Sequence, residues 1–292
     1  MEILLLKQKK IQVPAVSGLE VYGDKLLMIS DNTEGISICD FSGNVLQTFS
    51  LEKDESPTQI FEKKHKADYE ACSIITKDNS DFFLLIGSGS KKENRSKAKL
   101  ISLNEGFKIK NFDLEEFYTF LRSECNIEMS DFNLEALAYF DRKLYFFNRA
   151  TNEIFVLKMT SFFDFLKDEK DEVKFKRYRM EIDPIEGVFA GVSGATITPD
   201  GIVIITTSAE GTADWYNDGE ITGSSIGCFH LSELQSTFTV ETKILKDNDN
   251  ILKSKIESVA VNSVDQHKAL LFLVSDNDGA DSELFEVEIL FD

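Results

Sequence analysis

With 292 residues, 42% hydrophobic and 28% charged, the chain can bury one large core or two ordinary ones. Its 4 Pro and 16 Gly exclude a collagen-like or disordered chain, and 32 Lys+Arg against 51 Asp+Glu leave a formal charge of -19 that repels nucleic acid and anionic lipid at long range. Cys39, Cys72, Cys125 and Cys228 are dispersed with no Cys-x-x-Cys, so zinc and thioredoxin-like chemistry lack support and a reducing, cytoplasmic setting is expected, or a secreted or periplasmic one if a leader has been removed.

The N-terminal "MEILLL" reads as a strand whose apolar run is too short for a signal-peptide core. No later stretch approaches membrane-spanning length. "SGLEVYGDKLLMISDNTEG" (17–35) then gives a small residue, a strand, a turn, an apolar strand and a polar loop. "GISICDF" and "VLQTFSL" follow as two more strands. The same plan returns in "EACSIITKDNSDFFLLIGSGS", with Glu70 at its head, followed by "KLISL" and "FKIKNF". "DLEEFYTFLRS" (113–123) breaks the rhythm as a helix with Asp113 as its expected cap.

A third unit, "EALAYFDRKLYFFNRA" (135–150), leads into "EIFVLKM", a second helix "SFFDFLKDE" (161–169) expected to be capped by Ser161, and "VKFKRYRMEI". "SGATITPDGIVIITTSAEG" (193–211) starts the fourth unit, with "SIGCFHL" and "TFTVETKIL" after it. "ESVAVNSVDQHKALLFLVSDNDG" (257–279) starts the fifth, which has only "LFEVEILFD" left. Its missing strand is "MEILLL" from the other end of the chain. Five units of four strands, closed by the N-terminal strand, read as an all-β, five-bladed β-propeller spanning 1–292 as a single domain.

In such a fold the first strand of each blade lines the central channel. Counting back nine residues from the second strand leads from Leu26 to Ser17, from Leu144 to Glu135 and from Ile202 to Ser193. Repeats two and five have longer turns, and aligning their strand heads adds Glu70 and Glu257. A rival register uses Glu20 and Glu186, which fits the letters but breaks the count. Three carboxylates about 8 Å apart at an effective dielectric of ~20 repel by roughly 2 kcal/mol per pair. Protons, a Lys or Arg from a loop, or a cation must offset this. An all-oxygen ring of Ser17, Glu70, Glu135, Ser193 and Glu257 suits Ca2+. A hydrated channel with ordinary polar lining is the plainer reading.

The five blade starts, in order, resemble those of the calcium-activated nucleotidases (apyrases). The chain also looks like uncharacterised bacterial propellers and, more distantly, the esterase-like phytases. The apyrase resemblance implies one axial calcium held by Ser, Glu, Glu, Ser and Glu, one per blade. It covers nearly the whole chain, weakly in each piece. The family's first loop reads Asp-Arg-Thr-Gly. Here Asp31 and Thr33 match, but Asn32 replaces the arginine. "GSGSKKENR" stands where the family has Gly-Lys-Glu-Trp, while Arg149 does match a family arginine.

Loops after the second strands crowd the mouth near the ring. They supply Asp31, Asn32, Lys91, Lys92, Arg149, Glu210, Trp215, Asp276 and Asp278. With a metal, this inventory suits hydrolysis of a phosphate-containing small molecule: Asp31 orients water, and Lys92 and Arg149 clamp the phosphate. Each has a duller reading. Lys91 and Lys92 belong to a solvated loop, Arg149 pairs with Glu135 or Asp31, and Trp215 packs beneath its loop. "DNDGADSE" lacks the full EF-hand pattern. "GSGSKK" lacks a dinucleotide fingerprint's third glycine. His65, His230 and His267 form no catalytic set. The expectation is a monomeric, calcium-dependent phosphohydrolase. The alternative is a non-catalytic propeller with structural calcium that binds a sugar, peptide or protein.

Overall fold

In each blade the inner strand pairs antiparallel with a second, the second with a third and the third with an outer strand, and the second strands are buried almost continuously because both faces of each sheet pack on neighbours. The computed structural model describes residues 1–292 except 53–55, 59, 61–65, 91–93, 105, 168, 170–171, 212–218, 277–280 and 292. Blade I comprises Val16–Tyr22, Lys25–Ser30, Gly35–Cys39 and Val45–Ser50. Blade II comprises Tyr69–Lys77, Ser80–Gly87, Lys97–Ser102 and Ile109–Asp113. Blade III comprises Leu134–Phe140, Lys143–Asn148, Glu153–Lys158 and Phe175–Ile182. Blade IV comprises Ala190–Ile197, Ile202–Glu210, Ile221–His230 and Thr242–Ile244. Blade V takes Lys255–Val264, Lys268–Asp276 and Asp281–Leu290, and Glu2–Pro14 closes it. The closing strand runs antiparallel to its partner, with Leu5 opposite Val287 and Lys9 opposite Leu284. Inner strands touch in the cyclic order I, II, III, IV, V, I, so the five sheets surround one axis.

Two details differ from the sequence reading. "TFTVETKIL" is divided between blades: Thr237–Val240 adds a fifth, parallel strand to blade III, while Thr242–Ile244 completes blade IV. The division ties these blades together and covers part of an edge that would otherwise stay open. The helices are also shifted. α1 is Glu115–Cys125, and the Asp113 carboxylate accepts from the Glu115 amide at 2.8 Å, one residue outside the formal cap. α2 is Met159–Phe165, so Ser161 lies inside it and caps nothing. Tertiary contact sets that start: the Met159 amide donates to the Arg142 carbonyl at 2.9 Å.

Both helices fill the wedge between blades II and III. Phe117, Tyr118, Leu121, Phe162 and Phe163 join a core with Leu84, Ile86, Phe146 and Phe155. Phe117 and Phe162 meet edge to face at 5.1 Å between ring centroids, and the Tyr118 hydroxyl donates to the Gly87 carbonyl at 2.6 Å. Further cores separate the other blades. Among the described residues no helix is long and apolar enough to cross a membrane.

Candidate metal centre at the channel mouth

Every inner strand carries a β-bulge near its start, and the register passes over one residue each time. Between Val16 and Gly18 it passes over Ser17, between Tyr69 and Ala71 over Glu70, and between Leu134 and Ala136 over Glu135. Between Val192 and Gly194 it passes over Ser193, and between Ile256 and Ser258 over Glu257. A bulge re-aims one side chain out of the ladder. The three residues of the nine-residue count, and Glu70 and Glu257 aligned with them, therefore occupy equivalent positions. The rival register does not: Glu186 lies in a turn before blade IV at φ 52°, and Glu20 sits three residues beyond the bulge. There the Glu20 carboxylate accepts from the Ile74 amide at 3.3 Å, and burial pushes its pKa up to about 8.

A small residue follows each bulge: Gly18, Ala71, Ala136, Gly194 and Ser258. At Gly194 the reason is close approach of the next blade, since a Cβ would lie 2.8 Å from the Ser258 Cα and 2.6 Å from the Thr206 hydroxyl.

Backbone bonds repeat around the mouth as well. The amides of Asp31, Ser88 and Arg149 donate to the carbonyls of Ala15, Asp68 and Asn133 at 3.0, 3.0 and 2.9 Å. Each acceptor lies two residues before its bulge, and Ala15 and Asp68 reach this position through left-handed backbone at φ 43° and 56°. Pairing of Gly191 with Ser208 and of Lys255 with Asp276 completes the pattern in blades IV and V. This second tier brings Asp68 and Lys255 to the mouth. Neither they nor Lys66 and Arg95 were expected, although the spacing of two residues before each ring position would have pointed to Asp68 and Lys255.

On the side of blades III to V, Arg149 is the hub. Its side chain is 5% exposed, and its guanidinium lies 3.2 Å from Glu210, 3.6 Å from Glu135 and 3.9 Å from Glu257. The Lys255 ammonium lies 3.0 Å from both Glu210 and Glu257. Arg149 is thus turned inward to balance charge. Burial pushes Glu257 up to about 8 against the pull of Lys255 and Arg149, and burial likewise raises Glu135. The Asn133 amide group donates to Glu135 at 2.5 Å.

On the side of blades I and II, Asp31, Asp68 and Glu70 bring ligand oxygens within 4.8 Å of one another. Lys66 bridges Asp31 and Asp68, lying 3.0 Å from the latter. Arg95 and the Ser88 hydroxyl hold the other Asp68 oxygen at 2.7 and 2.5 Å. Asp31 Oδ1 is buried without a hydrogen-bond partner. Among the described residues no hydrogen bond or ion pair within 4 Å reaches the Glu70 carboxylate. Burial, with Asp68, Glu135 and Asp31 nearby, holds Glu70 well above the usual carboxylate range despite Lys66. Among the described residues six carboxylates here face four cations.

The ring serines are buried. Ser17 donates to the Tyr69 carbonyl at 2.6 Å and Ser193 to the Thr206 hydroxyl at 3.3 Å. A hydroxyl that gives away its proton keeps its lone pairs for a cation. Asn32 turns back to Ser30 at 3.1 Å. Lys91, Lys92, Trp215 and Asp278 lie outside the described residues, as does His65. His230 caps a short 3-10 turn, and the four thiols are free.

Residues 12–289 match the profile of a family of unknown function, DUF6929. No curated protein matches the chain. Among solved structures, Myxococcus xanthus glutaminyl cyclase is similar at TM-score 0.54 and 9% identity, over 99% of this chain and 97% of that one. Kuenenia stuttgartiensis hydrazine synthase matches at TM-score 0.44 and 11% identity, over 93% of this chain but 59% of that one. A duf4221 family member from Bacteroides vulgatus matches at TM-score 0.39 and 10% identity, over 96% and 79% of the two chains. At such identities the likeness concerns the fold alone.

Proposed function

We propose, for a chain that belongs to the DUF6929 family of unknown function, that it is a divalent-cation-binding propeller holding calcium at the mouth of its axial channel. The observation that carries this is the group Asp31, Asp68 and Glu70, whose oxygens converge within 4.8 Å while, among the described residues, Asp31 Oδ1 is buried without a hydrogen-bond partner. An all-oxygen donor set of this kind fits a hard cation of loose geometry. Glu70 belongs to both this group and the five-residue ring. Ser17, Glu135, Ser193 and Glu257 are the further oxygens around the axis. The excess of carboxylates over cations at the mouth is the electrostatic reason for a divalent ion there. The site acts in a monomer on a small molecule, since the acidic surface disfavours nucleic acid and anionic membranes.

Hydrolysis of a phosphate-containing small molecule is the second reading. It is favoured by Lys66 and Arg95 standing against the same carboxylates, where an anion on a bound cation would meet them. Calcium would polarise a phosphoryl oxygen. Asp31 is the water-orienting candidate and Lys92 a remaining clamp, whereas Arg149 balances Glu135, Glu210 and Glu257.

Calorimetric titration of chelator-stripped protein tests the first reading. Calcium binding is expected at one site per chain, with a raised melting temperature, and Glu70→Gln weakens it at least tenfold. Absence of binding at millimolar calcium overturns it. Phosphate release from nucleoside diphosphates and sugar phosphates, calcium-dependent and lost in Asp31→Asn, supports the second reading; binding without release refutes it.

A further inference from the structure

We infer that Lys66 is a tethered competitor for the cation, and that its release couples calcium binding to the binding of an anion at the same mouth. This rests on the calcium reading above. The Lys66 side chain is 10% exposed and its ammonium stands between Asp31 and Asp68, two of the three converging carboxylates. A calcium ion bound across Asp31 and Asp68 would compete with the ammonium for these carboxylates, and the two like charges would repel.

Asp68 and the Asp31 main chain are held by bonds that do not involve the lysine. Asp68 keeps Arg95 at 2.7 Å and the Ser88 hydroxyl at 2.5 Å whether or not Lys66 is present. Asp31 is fixed through its amide to the Ala15 carbonyl at 3.0 Å. Among the described residues Asp31 Oδ1 is buried without a hydrogen-bond partner. Lys66, by contrast, reaches its partners on a flexible four-carbon stem and can swing away from them.

Release has a consequence. A displaced ammonium stays within reach of the ion that displaced it, and the two repel. A phosphate bound beside both relieves that repulsion, so anion and cation bind cooperatively, each tightening the other by the same factor. The recognised chemistry is a phosphate-bearing anion, with inorganic phosphate as the minimal probe.

Calcium affinity is measured for the wild type, Lys66→Met and Lys66→Arg, with and without inorganic phosphate below its solubility limit with calcium. Lys66→Met is expected to bind calcium at least tenfold more tightly than the wild type, with no further gain from phosphate. The wild type gains about tenfold from phosphate, within the range typical of coupled sites. Lys66→Arg, whose planar fork grips two carboxylates more firmly, binds several-fold more weakly than the wild type. If Lys66→Met does not fold without calcium, Lys66→Arg decides, and affinity equal to or above the wild type overturns the inference. Wild-type binding with an unchanged or weaker Lys66→Met overturns the inference and leaves the calcium reading standing. Binding by Lys66→Met alone supports the competitor role, and binding by none of the three removes both.

Discussion

Arg149→Met removes the cation that three carboxylates at the channel mouth share. The guanidinium lies 3.2 to 3.9 Å from Glu210, Glu135 and Glu257 and is 5% exposed. At an effective dielectric of ~20, one such contact near 3.6 Å is worth about 4–5 kcal/mol before desolvation, and several share one desolvation cost. Breaking a buried pair by deleting one partner costs about 3–5 kcal/mol, on the order of 10 °C in melting temperature for a chain of this size. The loss depends on pH, with a definite sign. Arg149 lowers the pKa of both Glu135 and Glu257, so its removal raises them further. A carboxylate raised in the fold stabilises below its unfolded value of about 4.5 and loses that contribution as pH rises through its folded value. Near pH 5 the folded variant already holds those protons, and the cation is missed less. Thermal and urea unfolding in chelator near pH 8 and near pH 5 should therefore show the full loss at the higher pH and less than half at the lower. Equal losses, or less than ~1 kcal/mol near pH 8, would refute the hub role of Arg149.

In chelator, wild-type stability should fall as pH rises from about 5 to about 8, because burial holds Glu20 and Glu257 near 8; Glu20→Gln should flatten part of that slope in a melting series. Glu70→Gln should stabilise the calcium-free protein near pH 8 by roughly 1–3 kcal/mol, by removing a desolvated carboxylate that no described residue bonds, while the calcium-induced rise in melting temperature shrinks. Gly194→Ala should cost about 1–3 kcal/mol in urea unfolding, since its Cβ would meet the Ser258 backbone at 2.8 Å. Deleting residues 2–14 should open the blade V edge and yield aggregate on size-exclusion chromatography, because the closing strand pairs along its length with Asp281–Leu290.

The propeller was legible because a propeller is a repeat. Five similar hairpins and one unit short of a strand fix blade number and closure without knowledge of packing, since each sheet can bury its faces only against its neighbours. The constant nine-residue offset in three blades, extended by alignment to Glu70 and Glu257, also located the bulged positions. That offset is a local property of strand, turn and bulge, and it separated Ser17 from Glu20 and Ser193 from Glu186.

The use of the charges was not legible. Arg149 could pair with Glu135, reach Asp31 or clamp a ligand, and sequence offers no measure of distance across an axis. Lys66 precedes blade II and Arg95 lies in the loop between its second and third strands, so which carboxylates they meet depends on how those segments pack. The destination of Thr237–Val240 was hidden for the same reason, because an edge strand's hydrogen-bonding partners depend on which sheet lies beside it. The sequence by itself thus determined how many sheets form, how they close and which residue of each inner strand is bulged out of the ladder. Only the tertiary structure decided which carboxylate meets which cation, since Coulomb energies depend on separations and burial between residues that are remote along the chain.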